Sequence, residues 1–293
     1  MNIHWQSITE AIQAQLGNPI HLGEAQLISG GSISQAWKVR DQQGRAWLVK
    51  SNNKHLLPMF VAESKGLKEI ANSATIRVPT PLCSGTTQQH AFLVMEYIQL
   101  QGTPSAELFA KQLAAMHHCT QSHFGWTQNN TIGSTVQHNP LHNDWISFWR
   151  NERLEYQLAL AQRKGFSAPA FTQGMQLASR LSCFFSDYKP LPSLLHGDLW
   201  SGNYSADKQG QPVIYDPAIY YGDHEADLAM MELFGNPGKR FFSAYNTHFA
   251  IDTGYQTRKT LYNLYHILNH FNLFGGNYAS QAQNMINQLL AET

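Results

Sequence analysis

The sequence predicts an α+β chain in two lobes: a small, antiparallel, β-rich lobe over residues 1–98 and a larger, mainly helical lobe over 99–293. Three observations carry this expectation. Short runs of alternating apolar and polar residues, parted by Gly-containing turns, crowd between about 25 and 98. Beyond QLQGTP (99–104), apolar residues recur instead at the three-and-four spacing of helices. The composition, 43% hydrophobic and 14% charged over 293 residues, belongs to a folded chain with room for two cores.

The elements follow in order. Trp5, Ile8, Ile12 and Leu16 share a helical face, and Gly17 is placed to end that helix. AQLI (25–28), a turn through GGSIS (30–34) and AWKVR (36–40) read as strands; the DQQG turn then leads into AWLVK (46–50) to close a hairpin. Residues 58–71 have helical spacing, RVPTPLC (77–83) is extended, and AFLVMEYI (91–98) is a buried strand, with a hinge expected over 97–102. A helix over 105–118 and a long polar loop over 121–144 come next. Helices over 145–163, where Leu154, Leu158 and Ala161 keep helical spacing, and over 170–187 precede a strand pair around PVIYD (212–216). Closing helices carry Leu261, Leu264, Tyr265, Leu268 and Phe271 on one face. No internal repeat or low-complexity tract interrupts the pattern.

Charge and composition exclude several classes. Twenty basic and twenty acidic residues give no basic excess, which argues against nucleic-acid and anionic-membrane binders. No apolar run approaches the ~20 residues of a spanning helix. MNIHWQSITE lacks a basic stretch followed by an apolar core, so no secretory signal is expected. Cys83, Cys119 and Cys183 are odd in number and scattered, which suits a reducing cytoplasm rather than a disulfide framework. Most of the fourteen histidines, set among polar residues, are expected at the surface.

The chemistry gathers in LLHGDLWSGN (194–203). Phosphoryl transfer needs a carboxylate to accept the proton of the incoming hydroxyl, oxygen ligands for magnesium, and a cation on the nucleotide phosphates. Asp198 suits the base, and Asn203, five residues on, suits a magnesium ligand. Asp216, at the end of an apolar strand, suits the second, stronger one. Lys50 ends AWLVK on the face opposite Trp47 and Val49. Glu63 lies on the helical face of Phe60, Leu67 and Ile70, and a carboxylate among core residues calls for a cationic partner. Lys50 is that partner, held so that it can meet the α- and β-phosphates. Gly30, Gly31 and Ser32 form a turn whose amides could approach phosphates. VMEYI, with Met95, Glu96, Tyr97 and Ile98, offers the Glu96 carbonyl and the Ile98 amide to an adenine. ATP with Mg2+ is the cofactor these residues call for.

The order Lys50, Glu63, Asp198, Asn203, Asp216 resembles the protein-kinase-like fold in its aminoglycoside and choline phosphotransferase branch, where HGD replaces HRD. More narrowly, LLHGDLWSGN, IYDPAIYYGDHEADLAM (214–230), NTIGSTVQHNP (130–140) with DWISFWRNERL (144–154), and LYHILNHFNLFGG (264–276) resemble the fructosamine kinase, or ketosamine 3-kinase, family over nearly the whole chain. Trp200 is the most discriminating residue. The resemblance implies ATP-dependent phosphorylation of the O3 hydroxyl of a sugar ketoamine, free or on a glycated protein lysine. The 3-phosphate then makes the ketoamine prone to break down and release its amine, a deglycation. Asp216-Pro217-Ala218 stands where protein kinases carry an acid-phenylalanine-glycine triplet, and no long activation segment is present.

Other assignments stay open on the residues. Asp227 reads as a helix-start carboxylate bonded to catalytic-loop amides rather than a third metal ligand. Trp200 could cover a sugar's apolar face or fill core. His266 and His270, one turn apart opposite the leucines, could contact substrate, form a structural polar face or bind zinc, although the glutamate of HExxH is absent. An aminoglycoside, choline or similar alcohol is the alternative acceptor; cationic acceptors want several carboxylates, and YYGDHEAD offers only a few. A nucleotide-binding pseudoenzyme is the alternative of another class. Nothing in the sequence implies an obligate protein partner.

Overall fold

The N-terminal hundred residues build a five-stranded antiparallel sheet. Its strands are β1 (Gln26–Ile28), β2 (Gln35–Arg40), β3 (Ala46–Asn53), β4 (Pro81–Thr86) and β5 (His90–Glu96), in the order β1-β2-β3-β5-β4. Strand β5 is buried along nearly its whole length. The structure, a computed structural model, describes residues 4–28 and 33–293, so the expected turn at Gly30, Gly31 and Ser32 lies outside the described residues. The DQQG turn closes as expected. Gly44 takes φ 81°, and the Asp41 carboxylate accepts the amides of Gln43 and Arg45, each at 3.0 Å. Helix α1 (Trp5–Leu16) ends at Gly17, whose left-handed φ of 71° suits a residue without a Cβ. Ile8 and Ile12 of α1 pack on Val39, Val49, Phe92 and Val94, and Trp5 meets Trp37 edge-on. Helix α2 (Leu57–Asn72) turns Phe60, Leu67 and Ile70 inward.

The chain divides into two compact units: residues 1–104 with 205–216, and residues 105–204 with 217–293. The first unit therefore recovers most of a strand pair from far along the chain, β9 (Tyr204–Ala206) with β10 (Pro212–Ile214). Arg77 ties this segment in, its guanidinium bonded to Asp207 and to Glu96.

The second unit opens with α3 (Ala106–His117), capped by the Ser105 hydroxyl on the Leu108 amide at 3.3 Å. The expected polar loop 121–144 is only partly a loop. It contains a hairpin, β6 (Asn130–Ile132) with β7 (Thr135–Gln137), whose Asn130 and Gln137 side chains are buried. Polar composition suggested solvent, but hydrogen bonds bring these amides inside. The helix expected at 145–163 spans those residues as α4 (Trp145–Phe148), a π-helical stretch (Trp149–Glu155) and α5 (Tyr156–Arg163). In place of one helix over 170–187 the chain forms α6 (Ala168–Ser179) and a 3-10 turn (Leu181–Phe185). Strands β8 (Ser193–Leu195) and β11 (Tyr220–Gly222) pair antiparallel. Helices α7 (Glu225–Leu233), α8 (Lys239–His248), α9 (Tyr255–Phe274) and α10 (Tyr278–Ala291) complete the unit.

Helix α9 departs from expectation. Leu261, Leu264, Tyr265, Leu268 and Phe271 are buried, but so are Asn263, His266, Asn269 and Asn272, so the polar side of α9 is packed too. Asn272 bonds Gln157 through its backbone oxygen at 3.1 Å and its side-chain oxygen at 2.7 Å. Among the described residues no helix is long and apolar enough to cross a membrane.

Candidate active site

In the first unit, Lys50 occupies β3 with its ammonium held by two carboxylates: Glu63 Oε1 of α2 at 2.5 Å and Asp216 Oδ1 at 2.6 Å. Burial alone would lower the pKa of this lysine. The negative charges of Asp216 and Glu63 outweigh that and raise it above the ordinary lysine range, so the ammonium stays charged. Glu63 thus has the partner its place among Phe60, Leu67 and Ile70 demanded.

Asp216 adopts φ 60°, one of two positive-φ non-glycine residues among the described residues, and Pro217 follows it. A left-handed residue before proline is doubly disfavoured, and such strain persists where the surroundings over-determine it. At Asp216 it accompanies the ion pair to Lys50. Its carboxylate remains 46% exposed. At the end of β5, Met95 is buried. The Glu96 amide donates to Thr80 O at 2.8 Å and the Tyr97 amide to Ala46 O at 3.1 Å, so both are committed within the unit, with Ile98 next in line. Lys38 lies over the Tyr97 ring.

In the second unit, the loop after β8 is held from below. Asp227, in the first turn of α7, accepts the His196 amide at 2.7 Å and the Gly197 amide at 2.8 Å. This is the helix-start role expected of it. His117 Nε2 adds a contact at 3.2 Å. Burial would raise the Asp227 pKa; the bond and charge of His117, with His196 and the Gly197 amide, win and hold it below the usual carboxylate range. Gly197 has φ 81°, and a Cβ there would stand 2.1 Å from the Ala218 carbonyl oxygen, so glycine is required twice over. From this turn Asp198 follows, half-buried. Asn203, buried, donates Nδ2 to the Asp198 carbonyl at 2.8 Å and to its Oδ2 at 3.2 Å. With the nitrogen so used, the Asn203 amide oxygen is the atom of metal-ligating type. It and the partly exposed carboxylate of Asp216 are each hard-oxygen donors of the kind magnesium takes.

Trp200 is 37% exposed, and its indole lies across Gly202, where a Cβ would come 2.3 Å from the ring. It is therefore no core residue. His266 is buried, and burial drops its pKa to about 3, leaving a neutral ring whose Nδ1 has no hydrogen-bond partner. His270 Nδ1 lies 2.8 Å from the His266 carbonyl, and its ring packs on Phe234. Among the described residues no group of three metal-ligating side chains gathers around them. Most of the histidines are at least partly exposed, as expected, but His90, His117, His196, His224 and His266 are buried.

The three carboxylates of YYGDHEAD all point inward. Asp223 accepts the hydroxyls of Tyr262 at 2.5 Å and Tyr188 at 2.8 Å; Glu225 receives a two-pronged bond from Arg258 at 2.7 and 3.0 Å; Asp227 holds the loop. His117, whose role follows only from the fold, was not legible among scattered histidines.

This architecture is that of the protein-kinase-like phosphotransferases. A solved structure from Haemophilus somnus, assigned as a fructosamine-3-kinase, superposes with a TM-score of 0.89 at 28% identity, over 98% of this chain and 97% of that one. The family model described as "Fructosamine kinase" matches residues 4–292. A "Probable ketoamine kinase" of Synechocystis sp. is 44% identical over 289 residues, 98% of this chain and 97% of its own length. A chloroplastic protein-ribulosamine 3-kinase of Arabidopsis thaliana is 40% identical over 268 residues, 90% of this chain and 81% of its own. The chain belongs to the fructosamine kinase family, and it is an ATP-dependent kinase.

Proposed function

We propose that this chain phosphorylates the O3 hydroxyl of sugar ketoamines of the fructosamine, ribulosamine or erythrulosamine type, free or on the lysines of glycated proteins, from MgATP. Asp198 accepts the proton of the attacking hydroxyl. Lys50, fixed by Glu63, would meet the α- and β-phosphates, and Asp216 and Asn203 are each proposed as a magnesium ligand. Bound magnesium would neutralise phosphate charge. Gly30, Gly31 and Ser32, outside the described residues, remain the sequence's candidates for the phosphates, and the Met95–Ile98 segment is the candidate for the adenine. Trp200 covers the apolar face of the sugar, with His266 and His270 on the acceptor side. The product carries a phosphate beside its ketone and breaks down to release the amine. Three free cysteines suit a reducing cytoplasm as the place of work.

The observation that carries the acceptor class is the fate of the acidic residues. Asp223, Glu225 and Asp227 are each spent on an internal donor, which leaves none of the three for an aminoglycoside or choline cation. One experiment tests the reading: ATP turnover and phosphate incorporation across fructose-, ribulose- and erythrulose-lysine, choline and aminoglycosides. Incorporation into the ketoamines alone is expected. Turnover of choline or an aminoglycoside, with none of any ketoamine, would overturn it.

A further inference from the structure

Arg153, in the π-helical stretch, is fully buried, and no carboxylate lies within ion-pair distance of it among the described residues. Its guanidinium lies over the rings of Tyr220 at 4.2 Å and Phe148 at 4.6 Å, and donates to the His138 carbonyl at 2.6 Å and to Asn139 Oδ1 at 2.7 Å. A guanidinium can only donate, so it fixes which end of the Asn139 amide faces it. The Asn139 nitrogen must then point away, and it donates to Asn130 Oδ1 at 3.1 Å. That turns the Asn130 nitrogen outward, onto the Ile219 carbonyl at 2.7 Å. Gln137 Nε2 also donates to Asn130 Oδ1, at 2.8 Å, and reaches the Ala218 carbonyl at 2.9 Å, while its Oε1 accepts the Tyr265 hydroxyl at 2.8 Å. Each side-chain amide in this relay has one orientation, set from the arginine.

The far end of the relay is the backbone that supports the catalytic loop. The Ala218 oxygen that Gln137 holds is the atom packed on Gly197, and the Ala218 amide donates to His196 O at 2.9 Å. Asp198 is the next residue of the same turn. The side-chain amides of the relay are each hydrogen-bonded, while Arg153 Nε has no partner among the described residues. Hydrogen-bonded buried networks rigidify the backbone they hold, and a misplacement of about 1 Å at a reacting group can cost on the order of 10²-fold in rate.

We propose that Gln137, its amide oriented from Arg153 through Asn139 and Asn130, is a positioning residue for phosphoryl transfer that holds the Ala218 carbonyl against Gly197 and so aims Asp198. The polar segment NTIGSTVQHN is then a bracket for the catalytic turn. This rests on the assignment of Asp198 as the base.

The test compares the full chain with Gln137→Met, Gln137→Glu and Asp198→Asn, reading kcat and KM for fructose-lysine and for ATP, with thermal unfolding alongside. Both Gln137 variants are close in volume to the native residue, and the glutamate keeps the acceptor for Tyr265 but sets an oxygen against Ala218 O. Each is expected to lose tenfold or more in kcat with KM for ATP within twofold. A space-filling role would leave Gln137→Glu at the native kcat, which would overturn the inference. Should both variants prove too unstable to assay, Tyr265→Phe, which removes only the hydroxyl that Gln137 Oε1 accepts and so unties that end of the amide, is expected to lose threefold or more in kcat at unchanged KM for ATP; a native kcat there would overturn it equally. Native turnover in Asp198→Asn would remove the base itself, whereas an inactive Asp198→Asn beside fully active Gln137 variants would refute the role of Gln137 alone.

Discussion

Replacing Trp200 by alanine tests the acceptor side directly. The indole is 37% exposed and backed by Gly202, so it presents a face rather than filling a cavity. Aromatic side chains bury ~150–250 Å² when covered, so the exposed share amounts to roughly 60–90 Å² that a sugar could still cover. At ~25 cal/mol per Å² this is worth about 1.4–2.3 kcal/mol, or roughly 10–50-fold in affinity. Trp200→Ala is therefore expected to raise KM for fructose-lysine by about that factor while leaving ATP affinity unchanged. The assay is a steady-state titration of each substrate, with a melting curve on the same preparation. An unchanged ketoamine KM together with a lowered Tm would refute the reasoning and return Trp200 to a structural role.

Three further outcomes follow from the same geometry. Asp198→Asn keeps the shape of the loop but cannot take a proton, so kcat is expected to fall by ~10²–10⁴-fold with ATP binding intact, as single-turnover assay and nucleotide titration would show. Asp216→Ala is expected to weaken MgATP binding more than Asn203→Ala, because a carboxylate neutralises charge that an amide cannot; equal, small effects in calorimetric titration would place the metal elsewhere. Gly197→Ala meets both a left-handed φ, costing ~1–2 kcal/mol, and a Cβ 2.1 Å from the Ala218 oxygen. It is expected to lower Tm by several degrees and to cut kcat, and a native melting curve would show that the turn yields freely.

What was legible in the sequence had a period. Lys50 and Glu63 could be paired from residue spacing, because one lies on a strand, on the face opposite Trp47 and Val49, and the other breaks an apolar helical face. Helix 145–163 was legible from Leu154, Leu158 and Ala161. Its π-helical stretch was not, since the widening accompanies the burial of Trp149 and Arg153, and apolar spacing does not record it. The hairpin 130–137 was illegible for a different reason: Asn130 and Gln137 are buried by their hydrogen bonds, and composition reads such residues as solvated. Asp216 was legible by type and position, but its left-handed turn was not, because a residue before proline ordinarily favours extended backbone.

The carboxylates of the second unit sharpen what charge composition says about the acceptor. Counted along the chain, Asp223, Glu225 and Asp227 are the few carboxylates that closely follow LLHGDLWSGN. Each is buried, where an unpaired charge would be costly, and each has its own donor: two tyrosine hydroxyls, the Arg258 guanidinium, and two loop amides with His117. A carboxylate so compensated exerts little net field on a bound molecule, because its partner's charge or dipole lies within hydrogen-bond distance. The same compensation gives these residues a mechanical role. Asp227 fixes the amides before Asp198, and Asp223 and Glu225 bind α9 to the start of α7. That leaves the exposed indole of Trp200 as the proposed acceptor surface, of a kind suited to the C–H face of a sugar, with the buried, neutral ring of His266 as the proposed polar contact.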